Sequence, residues 1–155
     1  MTQLTANFSL HEMTKSETAL RLDIDNTPGE AETDALRLLC EKVLQPVRDH
    51  FGKGVKVTSA FRCADLNRAA NGSVTSDHVK GQAADIEIPG VANADLAQWI
   101  MDNLDYTQLI LEFYTPGIPD SGWVHVSYNP DNLKKQELTA TKQAGKTVYL
   151  NGLVA

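Results

Sequence analysis

Four segments of the sequence alternate aliphatic with polar side chains, which is the pattern of β-strands that bury one face. They cover residues 55–60, 84–88, 108–114 and 123–128. Because consecutive strand residues point to opposite faces, the sheet they form has one nearly aliphatic face and one polar face. The polar face collects Asp85, Gln108, Glu112, Trp123, His125 and Ser127. Such a sheet requires helices to cover its aliphatic face.

A long amphipathic helix is predicted in the first third of the chain. Thr27, Pro28 and Glu30 have the types and order of a helix start, with proline at the first helical position. The residues that follow repeat apolar side chains at intervals of three and four, which defines one buried helix face. This face consists of Leu36, Leu39, Cys40, Val43, Leu44 and Val47. Pro46 is expected to bend the helix near its end.

Shorter helices are predicted at three further places. Ser9 and Glu12 have the spacing of a capping box for a helix that ends near Ser16. Residues 64–70 form a second short helix, and Asn93 caps a third. The apolar residues of that third helix are Leu96, Ile100 and Leu104.

The order of these elements predicts the fold class. Segments 137–141 and 147–150 have the composition of a hairpin around Gly145, so the chain is helical first and strand-rich afterwards. We therefore predict an α+β fold with a mostly antiparallel sheet, helices packed on one face and the polar site on the other. With 155 residues, 42% of them hydrophobic, residues 1–155 are predicted to form a single domain.

Charge and hydropathy exclude several function classes. A net charge of −6 and a pI near 5.1 argue against nucleic acid as a partner, because phosphate binding needs a clustered basic surface. No run of 18 apolar residues and no signal peptide is present, so we expect synthesis in the cytoplasm without membrane insertion. Cys40 and Cys63 are interpreted as free thiols. Nothing in the sequence predicts an oligomeric state.

Two histidines and one aspartate have the residue types of a catalytic zinc site. His78 lies in a polar loop, Asp85 follows in a strand, and His125 lies in another strand. Each histidine taken alone is more simply an ordinary loop or strand residue. Asp85 is harder to explain, because aspartate is depleted in strands and costs free energy when buried without a partner. Three protein ligands would leave one coordination position for water, as catalytic zinc requires.

The segments around these residues resemble a known family. Residues 76–85 match the signature Ser-x-His-x-x-Gly-x-Ala-x-Asp of the zinc D-Ala-D-Ala carboxypeptidase family, and residues 123–125 match its Trp-x-His signature. Residues 57–62 are similar to the Ser-x-Phe/Tyr-Arg element that precedes the metal loop. The family also contains vancomycin-resistance D,D-dipeptidases, phage endolysins and the hedgehog signalling domain. The likeness is greatest to short stand-alone forms that are common in phages and prophages.

This resemblance implies roles for individual residues. One zinc ion would be held by His78, Asp85 and His125, and Glu112 would act as the general base. Vancomycin-resistance dipeptidases place their glutamate where this chain has Gly122, so Asp120 is a competing candidate for the base.

Five further residues are candidates for contact with the substrate or for support of the site. Arg62 would bind the oxyanion or a substrate carboxylate, unless it forms only a surface salt bridge. Ser76 would order the metal loop, Trp123 would line the substrate groove, and Gln108 and Ser127 would orient the ligands.

The resemblance implies a peptidase whose substrate is the stem peptide of peptidoglycan, acting at the bacterial cell wall or periplasm. It would remove a terminal D-alanine as a carboxypeptidase or cut within the stem as an endopeptidase. An alternative is a cell-wall or partner-binding module of a phage that keeps zinc but has lost turnover. Glu112 and Arg62 favour the enzyme, because a binding module needs neither.

Overall fold

The computed structural model describes residues 2–73 and 75–154. Six strands form one sheet in the order β3-β4-β6-β5-β7-β8, and a separate pair forms from β1 and β2. The strands are β1 (Gln3–Thr5), β2 (Phe8–Ser9), β3 (Lys56–Ser59), β4 (Ala83–Glu87), β5 (Gln108–Glu112), β6 (Trp123–Ser127), β7 (Gln136–Gln143) and β8 (Lys146–Asn151). The predicted α+β class and the hairpin around Gly145 are confirmed.

The sheet is mixed, because one of its pairings is parallel. The β3–β4, β4–β6, β5–β6 and β7–β8 pairs are antiparallel, whereas β5 and β7 run in the same direction. The parallel pairing arises from the path of the chain after β6, whose last residue, Ser127, lies opposite Gln108 at the start of β5. The chain then turns back, and the amide of Gln136 donates to the carbonyl of Thr107, so β7 starts beside the start of β5.

Six α-helices accompany these strands within the described residues. They are α1 (Leu10–Thr14), α2 (Glu17–Arg21), α3 (Glu30–Leu39), α4 (Gln45–Phe51), α5 (Ala64–Ala69) and α6 (Asn93–Asn103). The predicted capping box of Ser9 and Glu12 is confirmed. The helix that it opens ends at Thr14 rather than near Ser16, because Ser16 caps α2 by accepting a hydrogen bond from the amide of Ala19.

The long helix spans α3, a π-helical turn at Cys40–Leu44 and α4. Its start was predicted wrongly, since Gly29 is the N-cap and the Thr27 hydroxyl donates to Asp25 instead. Just before Pro46, where a bend was predicted, the helix has a π turn in which the amide of Gln45 donates to the carbonyl of Cys40. Proline has no N–H to continue the α-helical ladder, and a π turn just before it absorbs that loss.

Asn93 was predicted to cap α6, but it is the first helical residue and Ala92 is the N-cap. Its buried side chain donates instead to the carbonyl oxygens of Ser121 and Gly122, at 2.9 and 3.2 Å. These bonds connect the start of α6 to the loop that leads into β6. The side chain therefore positions one of the strands of the polar face.

The aliphatic face of the sheet and the helices share one buried core. The sheet residues in this core are Val57, Ala84, Ile86, Leu109, Leu111, Val124 and Val126. The helix residues include the whole predicted apolar face of α3 to α4, together with Leu96 and Ile100 of α6. The residues that alternate with them on the strands, such as Asp85 and His125, point to the opposite face.

Gly122 lies at the closest approach between the β5–β6 connection and the end of β5. Its φ is +63°, and a Cβ at this position would lie 1.9 Å from the carbonyl oxygen of Glu112. Gly52 has a similar φ of +65°, but a Cβ there would meet nothing within 4 Å. A comparison of substitutions at the two glycines therefore separates the free-energy cost of a left-handed backbone from that of a steric overlap.

We expect Gly122→Ala to destabilise the protein more than Gly52→Ala. Both variants carry the strain of a left-handed alanine, about 1 kcal/mol, and Gly122→Ala adds an overlap with main chain worth about 2 kcal/mol more. Urea unfolding of both variants and the parent measures the difference. Equal losses in the two variants would show that the chain relaxes around position 122 at no cost.

Candidate metal centre

His78, Asp85 and His125 converge although they belong to three different elements. Asp85 on β4 lies directly opposite His125 on β6, and His78 comes from the loop between α5 and β4. Each residue offers one ligand atom, and these atoms all lie within 4.8 Å of one another. Asp85 Oδ1 is 3.0 Å from His125 Nδ1 and 3.5 Å from His78 Nε2. The structure thus brings together the three residues that the sequence predicted as ligands.

The hydrogen bond of His78 Nδ1 leaves the other ring nitrogen, Nε2, available to bind a metal. Nδ1 of His78 is 2.6 Å from the carbonyl oxygen of Ala60. A carbonyl only accepts, so this nitrogen carries a hydrogen, and Nε2, which faces Asp85, is the ring nitrogen available to a metal. Metal-binding histidines commonly donate their second nitrogen in this way. The residue is 3% exposed, so the packing around it restricts the orientation of the ring.

The carboxylate and the imidazole of the β4–β6 pair shift each other's pKa. Burial opposes ionisation of Asp85, but hydrogen bonds from His125 and His78 outweigh it and hold the pKa of Asp85 below its usual value. Burial lowers the pKa of His125, whereas its hydrogen bond to Asp85 raises it and prevails. A metal must displace the proton from His125, so affinity falls as the pH drops through that raised pKa.

The loop that carries His78 is anchored at several points. The amide of His78 donates to Ser76 Oγ at 3.2 Å, and the carbonyl of His78 accepts from the amide of Arg62 at 3.2 Å. Gly81 has a φ of +72°, and a Cβ there would lie 2.5 Å from the carbonyl oxygen of Glu32 on α3. Ser76 therefore contacts the backbone of the metal loop, and glycine at 81 allows the loop to pass against α3.

Glu112 is the carboxylate next to the three candidate ligands. Its Oε2 accepts a 2.6 Å hydrogen bond from Nε1 of Trp123, which lies opposite it on β6. Burial and the nearby charge of Asp85 raise the pKa of Glu112, against the opposing effects of His125, Trp123 and Arg62. A carboxylate with a raised pKa exchanges protons closer to neutral pH, as a general base must. Trp123 was predicted to line a groove, and here it orients Glu112.

Arg62 extends towards the same charges. Burial lowers the pKa of the Arg62 guanidinium, while Asp85 and Glu112 oppose that shift. Across residues 2–73 and 75–154, Arg62 forms no ion pair within 4.0 Å, and its Nε is buried without a hydrogen-bond partner. A half-buried guanidinium that is not matched by a carboxylate is suited to bind an anionic group of a substrate.

The structure separates the two candidates for the base. Asp120 is exposed, and it lines a small cavity of about 220 Å³ together with Lys56 and Glu87. The charge of Glu112, in contrast, acts on Arg62 and His125. Of these two candidates, Glu112 is therefore the one that lies within electrostatic reach of the candidate centre.

Gln108 and Ser127 were predicted to orient the metal ligands, but no hydrogen bond joins either of them to a ligand among the described residues. Gln108 Nε2 donates to Gln136 Oε1 on β7 at 3.0 Å, and Ser127 Oγ is buried without a partner. Both residues lie on the polar face, directly opposite each other in the β5–β6 strand pair. Ser127 is two residues along β6 from His125.

Sequence reasoning missed Asn26, which holds the backbone on both sides of Arg62. Its Nδ2 donates to the carbonyl oxygens of Thr14 and Phe61, at 2.8 and 3.0 Å, and its Oδ1 accepts from the amide of Cys63 at 2.8 Å. Asn26 stands in a polar segment without periodicity, where an asparagine is most simply a turn residue. No signal in a single sequence distinguishes it.

We expect His78→Ala and His125→Ala to lose the metal that the parent protein retains. Zinc content after dialysis should be about one ion per chain in the parent and close to zero in both variants, because only two of three ligands remain. The matched control is His50→Ala, whose imidazole stacks on Trp99 at a centroid distance of 4.4 Å. Undiminished zinc in both ligand variants would remove these residues from the site.

Comparisons with known proteins place the chain in a family. A search among curated proteins finds no match. The profile of the family described as Peptidase M15 matches residues 6–127. This range contains the three candidate ligands as well as Arg62 and Glu112. No helix in the described part of the chain is long and apolar enough to cross a membrane. The chain belongs to the Peptidase M15 family, the family of the zinc D-Ala-D-Ala carboxypeptidases.

Proposed function

We propose that this protein is a zinc-dependent peptidase that hydrolyses a peptide bond in the stem peptide of peptidoglycan. The observation that carries the proposal is the cluster of His78, Asp85 and His125, with Glu112 and Arg62 within electrostatic reach of it. Membership of the Peptidase M15 family supports a hydrolase that acts on peptides. The site of action that follows from this substrate is the bacterial cell wall.

The donor set fits zinc. Nε2 of His78, a carboxylate oxygen of Asp85 and Nδ1 of His125 are the nitrogen and oxygen ligands that zinc prefers, and three of them leave a coordination position open. A zinc ion held there would supply Lewis acidity, which activates water and polarises the scissile carbonyl.

Glu112 transfers the proton of the reaction, and Arg62 binds the negative charge of the substrate. Glu112 takes a proton from the attacking water and delivers it to the leaving amine, and its raised pKa suits both directions of transfer. Trp123 holds the other side of this carboxylate through its indole N–H. Arg62 binds negative charge, either on the tetrahedral oxyanion or on a substrate carboxylate.

We expect Glu112→Gln to keep its zinc and to lose about 10² or more in kcat, because the amide is isosteric but cannot accept a proton. Release of fragments from purified peptidoglycan, followed by mass spectrometry, measures turnover and also identifies the bond that is cut. Asp120→Asn is the matched control and should retain activity. The opposite pattern, with an active Glu112→Gln and an inactive Asp120→Asn, would transfer the role of base to Asp120.

We expect Arg62→Ala to lower kcat/KM by about 10² with unchanged zinc content, because one charged donor to the reacting groups is lost. Arg68→Ala is the control, since Arg68 is exposed and pairs with exposed Asp65 at the surface. Thermal unfolding is measured in parallel. A large drop in stability with normal turnover per folded molecule would make Arg62 a structural residue.

A further inference from the structure

A groove with a volume of about 1130 Å³ lies beside the candidate metal centre. All four residues of β3 and Arg62 line one side of it, and residues of α1, α2 and the segment that follows line the other. Arg62 belongs both to this groove and to the surroundings of Asp85 and Glu112. None of the three candidate ligands lines the groove, so Arg62 is the residue that the groove and the surroundings of the candidate centre share in the described structure.

The lining shows that the groove runs along the edge of the sheet. Consecutive strand residues face opposite sides, so a groove that contacts every residue from Lys56 to Ser59 must follow the edge of β3 rather than one face. β3 is the terminal strand of the sheet, and its main-chain pairing in the described structure is with β4 alone. An open edge of this kind offers N–H and C=O groups to an added peptide.

The charges that line the groove are opposite in sign to the net charge of the protein. Lys15, Lys56 and Arg62 contribute three cations, whereas Glu17 contributes the one carboxylate in the described lining. The chain as a whole carries 20 acidic and 14 basic side chains. A local excess of cations on an acidic protein favours an anionic occupant. A neutral glycan would offer no charge to Lys15 and Arg62, whereas Lys56 also has Glu87 and Asp120 near it.

We propose that this groove binds an acidic peptide of about four residues, extended along the edge of β3, as the part of the substrate remote from the scissile bond. Four residues at roughly 3.3 Å each match the length of β3. Backbone amides of the peptide pair with the β3 edge, its carboxylates contact Lys15 and Lys56, and the chain passes Arg62 to reach the centre. The inference rests on the proposed function, and it makes the preferred substrate a stem peptide longer than a dipeptide.

Charge reversal at the two lysines tests the proposal. The variant Lys15→Glu/Lys56→Glu is compared with Lys134→Glu/Lys146→Glu, which makes the same change in net charge at exposed positions outside the groove lining. The probes are a soluble stem pentapeptide that ends in D-Ala-D-Ala and the same pentapeptide with every carboxylate amidated. We expect KM for the acidic peptide to rise at least tenfold in the groove variant alone, with kcat unchanged and with KM for the amidated peptide unaffected.

Calorimetric binding of both peptides to Glu112→Gln, with and without the groove substitutions, separates this inference from the proposed function. Weaker binding of the acidic peptide when the groove substitutions are present, together with no hydrolysis by the parent protein, would keep the groove and remove the peptidase. Normal hydrolysis with the same KM in parent and groove variant would keep the peptidase and overturn the groove. Equal weakening for acidic and amidated peptides, or no binding of either by the parent, would also overturn it.

Discussion

The antiparallel pairing of β4 with β6 is the constraint on which the rest of the site depends, because it sets Asp85 directly opposite His125. The register of this pair is fixed from the other face of the sheet. Ile86 and Val124 are fully buried neighbours in the core, and a slip of one residue would expose them and bury the carboxylate among aliphatic side chains. Hydrophobic burial on one face thus specifies the ligand geometry on the other.

The third ligand and the cation beside the centre are held by one connected set of hydrogen bonds. The carbonyl of Ala60 fixes the ring of His78, and the carbonyl of His78 accepts from the amide of Arg62. Asn26 then fixes the backbone on both sides of Arg62. The metal loop and the segment after β3 therefore cannot move independently, so the positions of imidazole and guanidinium are coupled.

Features that depend on local periodicity could be predicted from the sequence, whereas those that depend on tertiary contacts could not. Alternation in the strands was enough to place Asp85 and His125 on one face, and helical periodicity found the buried face of α3 to α4. The hydrogen-bond partners of two polar side chains were predicted wrongly. Thr27 and Asn93 looked like helix caps and instead bond to Asp25 and to the loop before β6, because side-chain partners across the fold leave no trace in spacing.

The tight contact at Gly122 determines where an acidic group can lie beside the candidate centre. Any side chain at this position would overlap with the main chain of Glu112, so a carboxylate borne by residue 122, as in the vancomycin-resistance dipeptidases, is incompatible with the present path of β5. The two placements of an acidic group are alternatives that exclude each other. A chain that carried its acidic group at residue 122 would therefore need a different course both of the end of β5 and of the loop before β6.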